Sequence, residues 1–193
     1  MFIDVSCRRV GCLRFEYFLI MHADWRIIPP LVRLSLPLSV PFEGRLHHCG
    51  RLIGGAERCL ELAVARAGAR TAFGKKLVDH GSIREKLARS RIAIESARLL
   101  TLDAAKCLDE RGVKEARGKL AIAKVAVPEA AQTVADHAIQ IFGGAGVSSD
   151  VPIARLFAAA RTLRIADGPD EVHLGTIAKI DIASATSGGA PRL

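Results

Sequence analysis

From Gly44 onward, apolar residues recur at three- and four-residue steps, and no other feature restricts so strongly what this chain can fold into. Leu46, Cys49, Ile53, Ala56, Leu60 and Ala63 share one face of a helix predicted over about 45–66. Ile83, Leu87, Ile94, Ala97 and Ala104 line a second, which runs from Ser82 to about Asp109. Ser82 and Glu85 are spaced as a capping box at its start, and Arg111-Gly112 stops it. A third helix is predicted over about 114–142. Pro128 implies a kink or break near Val125–Pro128, and Gly143-Gly144 ends the helix. Asp150 or a neighbouring serine is the expected cap of a fourth, with Pro152 in its first turn and its end near Ala166. Pro169 opens a fifth that runs to about Ala185. Helices joined by short connections fold as an up-down bundle. The expectation is an all-α fold of about five helices over residues 44–185, with a loose tail at 186–193.

Residues 1–43 read differently. They contain arginine but no lysine, the one Trp and the one Tyr, and Pro29, Pro30, Pro37 and Pro41. Their apolar clusters follow neither helical nor strand period, so an irregular extension is expected. Aromatics make up 5% of the chain, which favours helix packing over a sheet. The net charge of +8 fits either a solvated basic surface or attraction to a polyanionic small molecule. The basic residues are spread along helices without a nucleic-acid motif, which argues against nucleic acid as partner. Five irregularly spaced cysteines form neither a disulfide framework nor a metal-site pattern. The adjacent His47, His48 and Cys49 point in different directions on a helix, so no metal site is expected. No apolar run reaches the roughly 20 residues that span a bilayer. Arg8, Arg9 and Arg14 are a weak presequence-like feature, opposed by Asp4 and Glu16. Pro191-Arg192-Leu193 is a loose variant of the peroxisomal Ser-Lys-Leu address. A mitochondrial or peroxisomal location is the expectation.

Two segments carry chemistry. Arg70-Thr-Ala-Phe-Gly-Lys75 sets a cation beside an aromatic ring, which suits a pyrophosphate and a flat ring system. Gln140-Ile-Phe-Gly-Gly-Ala-Gly146 ends a helix in glycines, where backbone approaches a ligand closely. With Gly44-Arg45-Leu46-His47-His48-Cys49 and Ala166-Asp167-Gly168-Pro169-Asp170-Glu171-Val172-His173, they make residues 44–185 resemble the C-terminal helical domain of acyl-CoA dehydrogenases. The similarity is greatest to the subgroup often fused to phosphotransferase-like domains.

The resemblance implies FAD as cofactor and an acyl-CoA as substrate. It matches Arg70 and Phe73, and Gln140, Gly143 and Gly144, to residues that family members present to the FAD of a neighbouring subunit, and it places Glu171 near the flavin. Asp167 matches the usual position of the general base, commonly glutamate; an ordinary helix N-cap is the alternative for this residue. Some relatives carry the base at the position of Gly44, where glycine cannot serve. Arg45 matches an arginine near the thioester, with a surface charge in the first helical turn as its alternative. Gly168 belongs to the same substrate-binding motif.

The resemblance further implies a dimer or tetramer and electron transfer to a flavoprotein or oxygen. The N-terminal helical domain and middle β-domain of relatives have no counterpart in this sequence. The chain is therefore expected to be inactive alone; the alternative is a non-catalytic helical module that pairs with full-length relatives.

Overall fold

The computed structural model describes residues 42–186. The expectations for the N-terminal extension before residue 42 and for the tail beyond 186 lie outside the described residues. Four α-helices appear among them: α1 (Phe42–Ala69), α2 (Gly81–Phe142), α3 (Ile153–Leu163) and α4 (Asp170–Thr186). α2 is two helical arms. At Gly112 the backbone leaves helical geometry, with φ 77° and ψ 177°, a left-handed φ that glycine adopts without strain. The arms fold back on each other. Lys119 pairs with Asp103 at 2.7 Å, and Ser90 meets His137 at 3.0 Å. The arginine-glycine stop therefore acts as read, and the all-α up-down bundle is the observed fold.

Between α1 and α2 the chain makes a minimal antiparallel hairpin, β1 (Thr71–Ala72) against β2 (Lys75–Lys76), with Thr71 opposite Lys76. Phe73 and Gly74 form its tip at φ 53° and 80°, the two positive values of a type I′ turn.

Three local expectations fail. The capping box does not form: the helix starts at Gly81, His80 occupies the cap without a side-chain bond, and Glu85 instead pairs with Arg89 at 2.8 Å. Arg84 organises this start by donating to the Val78 carbonyl at 2.8 Å. Helical dihedrals continue through Pro128, which is buried inside α2; packing on both sides holds the arm where propensity would break it. α3 is not capped by Asp150 or a serine. Its N-cap is Pro152, and it ends at Leu163 rather than near Ala166. Ser148 accepts a bond from the Asp150 backbone N–H in the preceding turn.

The core is built largely from small residues. Ala56, Ala63 and Ala67 of α1 and Ala97, Ala104 and Ala123 of α2 are all buried, so the helices approach closely. Ile94, Leu120, Val127 and Ile153 fill the remaining space; complete burial of such a side chain is worth roughly 1.5–3 kcal/mol. Glu57 of α1 accepts bonds from Arg91 and Arg98 of the first α2 arm at 2.8 and 2.6 Å. Arg164 ties the end of α3 to the second arm through Gln132 and Glu129. The sequence residues nearest to chemistry lie at the two ends of α1.

Candidate functional site

At the start of α1, side chains from four segments converge on the turn between α3 and α4. Asp167 stands there at φ 59° and Gly168 at φ 97°. Phe73 and Asp167 are the non-glycine residues with positive φ among the described residues, a conformation that costs on the order of 1–3 kcal/mol and needs outside support. The support is visible. Lys124, buried in the second arm of α2, donates to the Gly168 carbonyl at 2.6 Å. His173 Nε2 donates to the Asp167 carbonyl at 3.1 Å. Arg164 grips Asp170 at 2.7 Å, and Lys124 Nζ faces the other oxygen of Asp170 at 3.9 Å. Gly168 is obligatory twice over: its φ suits glycine, and a Cβ there would stand 3.0 Å from His173 Nε2.

The Asp167 side chain turns toward α1. Its Oδ2 lies 3.3 Å from His48 Nε2, and only 10% of the side chain is exposed. The contact is at ion-pair distance but out of line for a hydrogen bond, so this buried oxygen has no hydrogen-bond partner. Asp167 lies three residues before α4 begins and does not cap it, so the N-cap reading is corrected. Arg45, His48, Cys49, Leu52, Lys124, Pro128, Leu163 and Asp167 line a cleft of about 10 Å³ here, close to the space of a single water. Arg45 is thus half-buried beside Asp167 and not a free surface charge.

Burial shapes the titration of this cluster. Desolvation lowers the His48 pKa; the Asp167 carboxylate opposes this, and Arg51, His47 and Lys124 reinforce it. Desolvation also lowers Lys124, against the pull of Asp170 and Asp167, and lowers His173. Burial pushes the Cys49 thiol up to about 12, leaving it a neutral packing residue with its sulfur 3.7 Å from the Ala123 carbonyl. Among the described residues no group of three potential ligands could hold a metal ion.

The other sequence candidates lie at the far end of α1. Arg70 and Phe73 are exposed, Phe73 at 93%. The Phe73 ring meets His80 edge-on at 6.3 Å, and the Arg70 guanidinium has no ion-pair partner among the described residues. The glycine turn reaches the same end, because Arg66, one turn before Arg70, lies over the Phe142 ring at 5.5 Å. Gln140, Gly143 and Gly144 are exposed. Gly143 has φ 66°, and no atom lies within 4 Å of a Cβ placed on Gly143 or Gly144. The close-approach glycine is Gly146, where a Cβ would stand 2.8 Å from the Ile139 backbone. An unpaired guanidinium, an exposed ring and open glycine backbone fit the pyrophosphate and flat ring of a dinucleotide. Glu171 is exposed in the first turn of α4 and is not among the residues that line the Asp167 cleft.

The structure thus joins Arg45, Asp167 and Gly168 at one end, and Arg70, Phe73 and the glycine turn at the other. Motif reading did not single out His48, Lys124, Arg164 and His173 as partners of the turn. The signal available for Lys124 was a lone cation inside the apolar run Leu120–Val127.

Residues 42–180 match the family model described as acyl-CoA dehydrogenase, C-terminal domain. Among curated proteins, the "Probable acyl-CoA dehydrogenase IBR3" of Arabidopsis thaliana is 59% identical over 143 residues, covering 74% of this chain and 17% of that protein. The solved butyryl-CoA dehydrogenase of Megasphaera elsdenii is 36% identical with a TM-score of 0.66, covering 72% of this chain and 36% of that one. A structure of PigA with FAD and proline is 25% identical with a TM-score of 0.67, again over 72% and 36%. The chain spans about a sixth of the length of the curated relatives it matches first.

Proposed function

Because the chain belongs to the acyl-CoA dehydrogenase family, we propose that it supplies the proton acceptor and one flavin-facing edge of an FAD-dependent acyl-CoA α,β-dehydrogenase. The observation that carries this is the backbone. Among the described residues, the two non-glycine residues held at positive φ, Asp167 and Phe73, are the residues the motifs match to base and flavin contact.

Asp167 would take the α-proton of an acyl thioester. A carboxylate only 10% exposed, with Oδ2 turned to His48, keeps its other oxygen to accept a proton from a bound ligand. Arg45, which lines the same cleft, would hold the thioester end by charge. Lys124 and His173 fix the turn so that the carboxylate keeps its aim. At the far end, Arg70 would hold a pyrophosphate, Phe73 would cover a ring face, and Gln140, Gly143 and Gly144 would offer polar and backbone contact. A bound flavin supplies the acceptor for the hydride leaving the β-carbon.

A second reading also has an observation behind it. Ile92, Leu99 and Leu102 are 66%, 67% and 60% exposed on the first α2 arm, an apolar stripe at helical spacing that suits association with another chain. The chain would then be a non-catalytic pairing module. Flavin fluorescence during size-exclusion chromatography separates the two. Co-elution of FAD with the purified chain supports the first reading. An assembled, folded chain that elutes without FAD supports the second.

A further inference from the structure

We propose that His48 is the positioning residue for Asp167, its Nε2–H facing Oδ2 so that the carboxylate presents its remaining oxygen to the ligand. The inference rests on the reading of Asp167 as proton acceptor and adds a residue to it.

The tautomer follows from the neighbours. Arg51 Nη1 lies 3.4 Å from His48 Nδ1. A guanidinium only donates, so Nδ1 is the acceptor and the ring proton of neutral His48 is on Nε2. That nitrogen is the one 3.3 Å from Asp167 Oδ2. Among the described residues this oxygen has no hydrogen-bond partner and is sealed from solvent, and Lys124 is spent on the Gly168 carbonyl and Asp170. A buried carboxylate oxygen left unbonded is costly. A modest ring or carboxylate rotation brings His48 N–H into line, and ligand entry into the cleft is the event that would drive it. Catalytic hydrogen bonds are commonly misaligned before the ligand binds.

The charges facing His48 set its behaviour. Asp167 comes from the turn before α4, Lys124 from α2, and Arg51, His47 and the nearby Arg45 from α1 itself. Asp167 is the one anion among them. The neutral ring is favoured by burial and by the cations, so His48 works as a hydrogen-bond donor and not as a permanent countercharge.

The test is long-range 1H–15N NMR of the histidines in the purified chain, which needs no cofactor. Neutral His48 should show the Nε2–H pattern, and its titration midpoint should move to lower pH in Asp167→Asn, where the anion is gone. An Nδ1–H pattern, or a midpoint indifferent to Asp167→Asn, overturns the pairing. A second arm follows α-proton exchange of butyryl-CoA in D2O. His48→Leu should lose on the order of tenfold in exchange rate, and His48→Gln, which keeps an N–H donor, should recover most of it. Equal losses in the two variants overturn the positioning role. Absence of exchange in the wild-type chain counts against Asp167 as base, and the NMR result then decides the His48 pairing separately.

Discussion

Replacing Lys124 with methionine tests whether the turn bearing Asp167 is held from behind. Lys124 is 4% exposed, donates to the Gly168 carbonyl at 2.6 Å and faces Asp170 Oδ1 at 3.9 Å. Attraction to Asp170 at that distance is about 4 kcal/mol at an effective dielectric of about 20. Desolvation of the ammonium runs to several kcal/mol. The pKa of Lys124 is lowered by burial despite both aspartates, so desolvation is the larger of the two and the pair gives little net stability. What decides the outcome is the bond to the Gly168 carbonyl, which with a charged donor is worth about 1.5–3 kcal/mol. Asp170 keeps its 2.7 Å partner Arg164 in the variant, and methionine fills most of the space of the lysine stem. The expected loss is about 2 kcal/mol, a fall of roughly 4–8 °C in Tm for a domain of this size. Thermal and urea unfolding followed by far-UV circular dichroism measure it. A Lys124→Met chain as stable as wild type, or more so, refutes the reasoning: the ammonium would then be a net liability and the turn would hold its geometry without it.

Three more outcomes are expected. Gly146→Ala places a Cβ 2.8 Å from the Ile139 backbone and should destabilise by roughly 1–3 kcal/mol, whereas Gly144→Ala, with nothing within 4 Å, should be close to neutral in the same melts. Phe73→Gly should leave stability unchanged or raise it by up to about 1 kcal/mol, because it relieves a strained φ and gives up a 93% exposed ring; a marked loss would give the ring a structural role instead. Burial lowers the pKa of His48, His137 and His173 in the fold. The unfolded chain therefore binds more protons as pH falls through the ordinary histidine value near 6.5, and stability present above that value is lost below it. Tm should fall between pH 7.5 and 5.5, and His137→Gln should flatten the fall.

Much of this architecture was legible because helical spacing repeats along the chain. The stop at Gly112 was plain from its place after a long apolar pattern, and only its consequence, a backbone at φ 77° joining two arms, needed coordinates. Local rules failed where tertiary packing overrides them. Pro128 sits inside a helix because the second arm is held on both sides, and Ser82 and Glu85 satisfy a cap motif in sequence while Arg84 and Arg89 claim the local bonds. The site was half legible. Motif residues such as Arg70 and Asp167 stand out by resemblance. Some supports of the Asp167 turn are local, as His173 and Arg164 are, but others are 40 or more residues away in sequence, as Lys124 is from Gly168 and His48 from Asp167, and no spacing rule predicts a contact of that range. A lone lysine in an apolar run was the one visible clue.

The separation of the two candidate sites limits what one copy can do. His48 and Arg70 lie 22 residues apart along and just beyond one helix, roughly 33 Å at 1.5 Å per residue. No acyl carbon beside Asp167 can touch a ring lying on Phe73 of the same copy. If both residues serve one reaction, the Phe73 end must work on a cofactor whose substrate sits beside the Asp167 of another chain, and the strain at Phe73, which lacks the hydrogen bonds that hold the Asp167 turn, is recovered by that cofactor. If the chain acts alone, that strain has no ligand to explain it. The Phe73→Gly and FAD co-elution experiments therefore bear on the same point: an exposed, strained aromatic retained without cofactor binding would favour the pairing module over the dehydrogenase half-site.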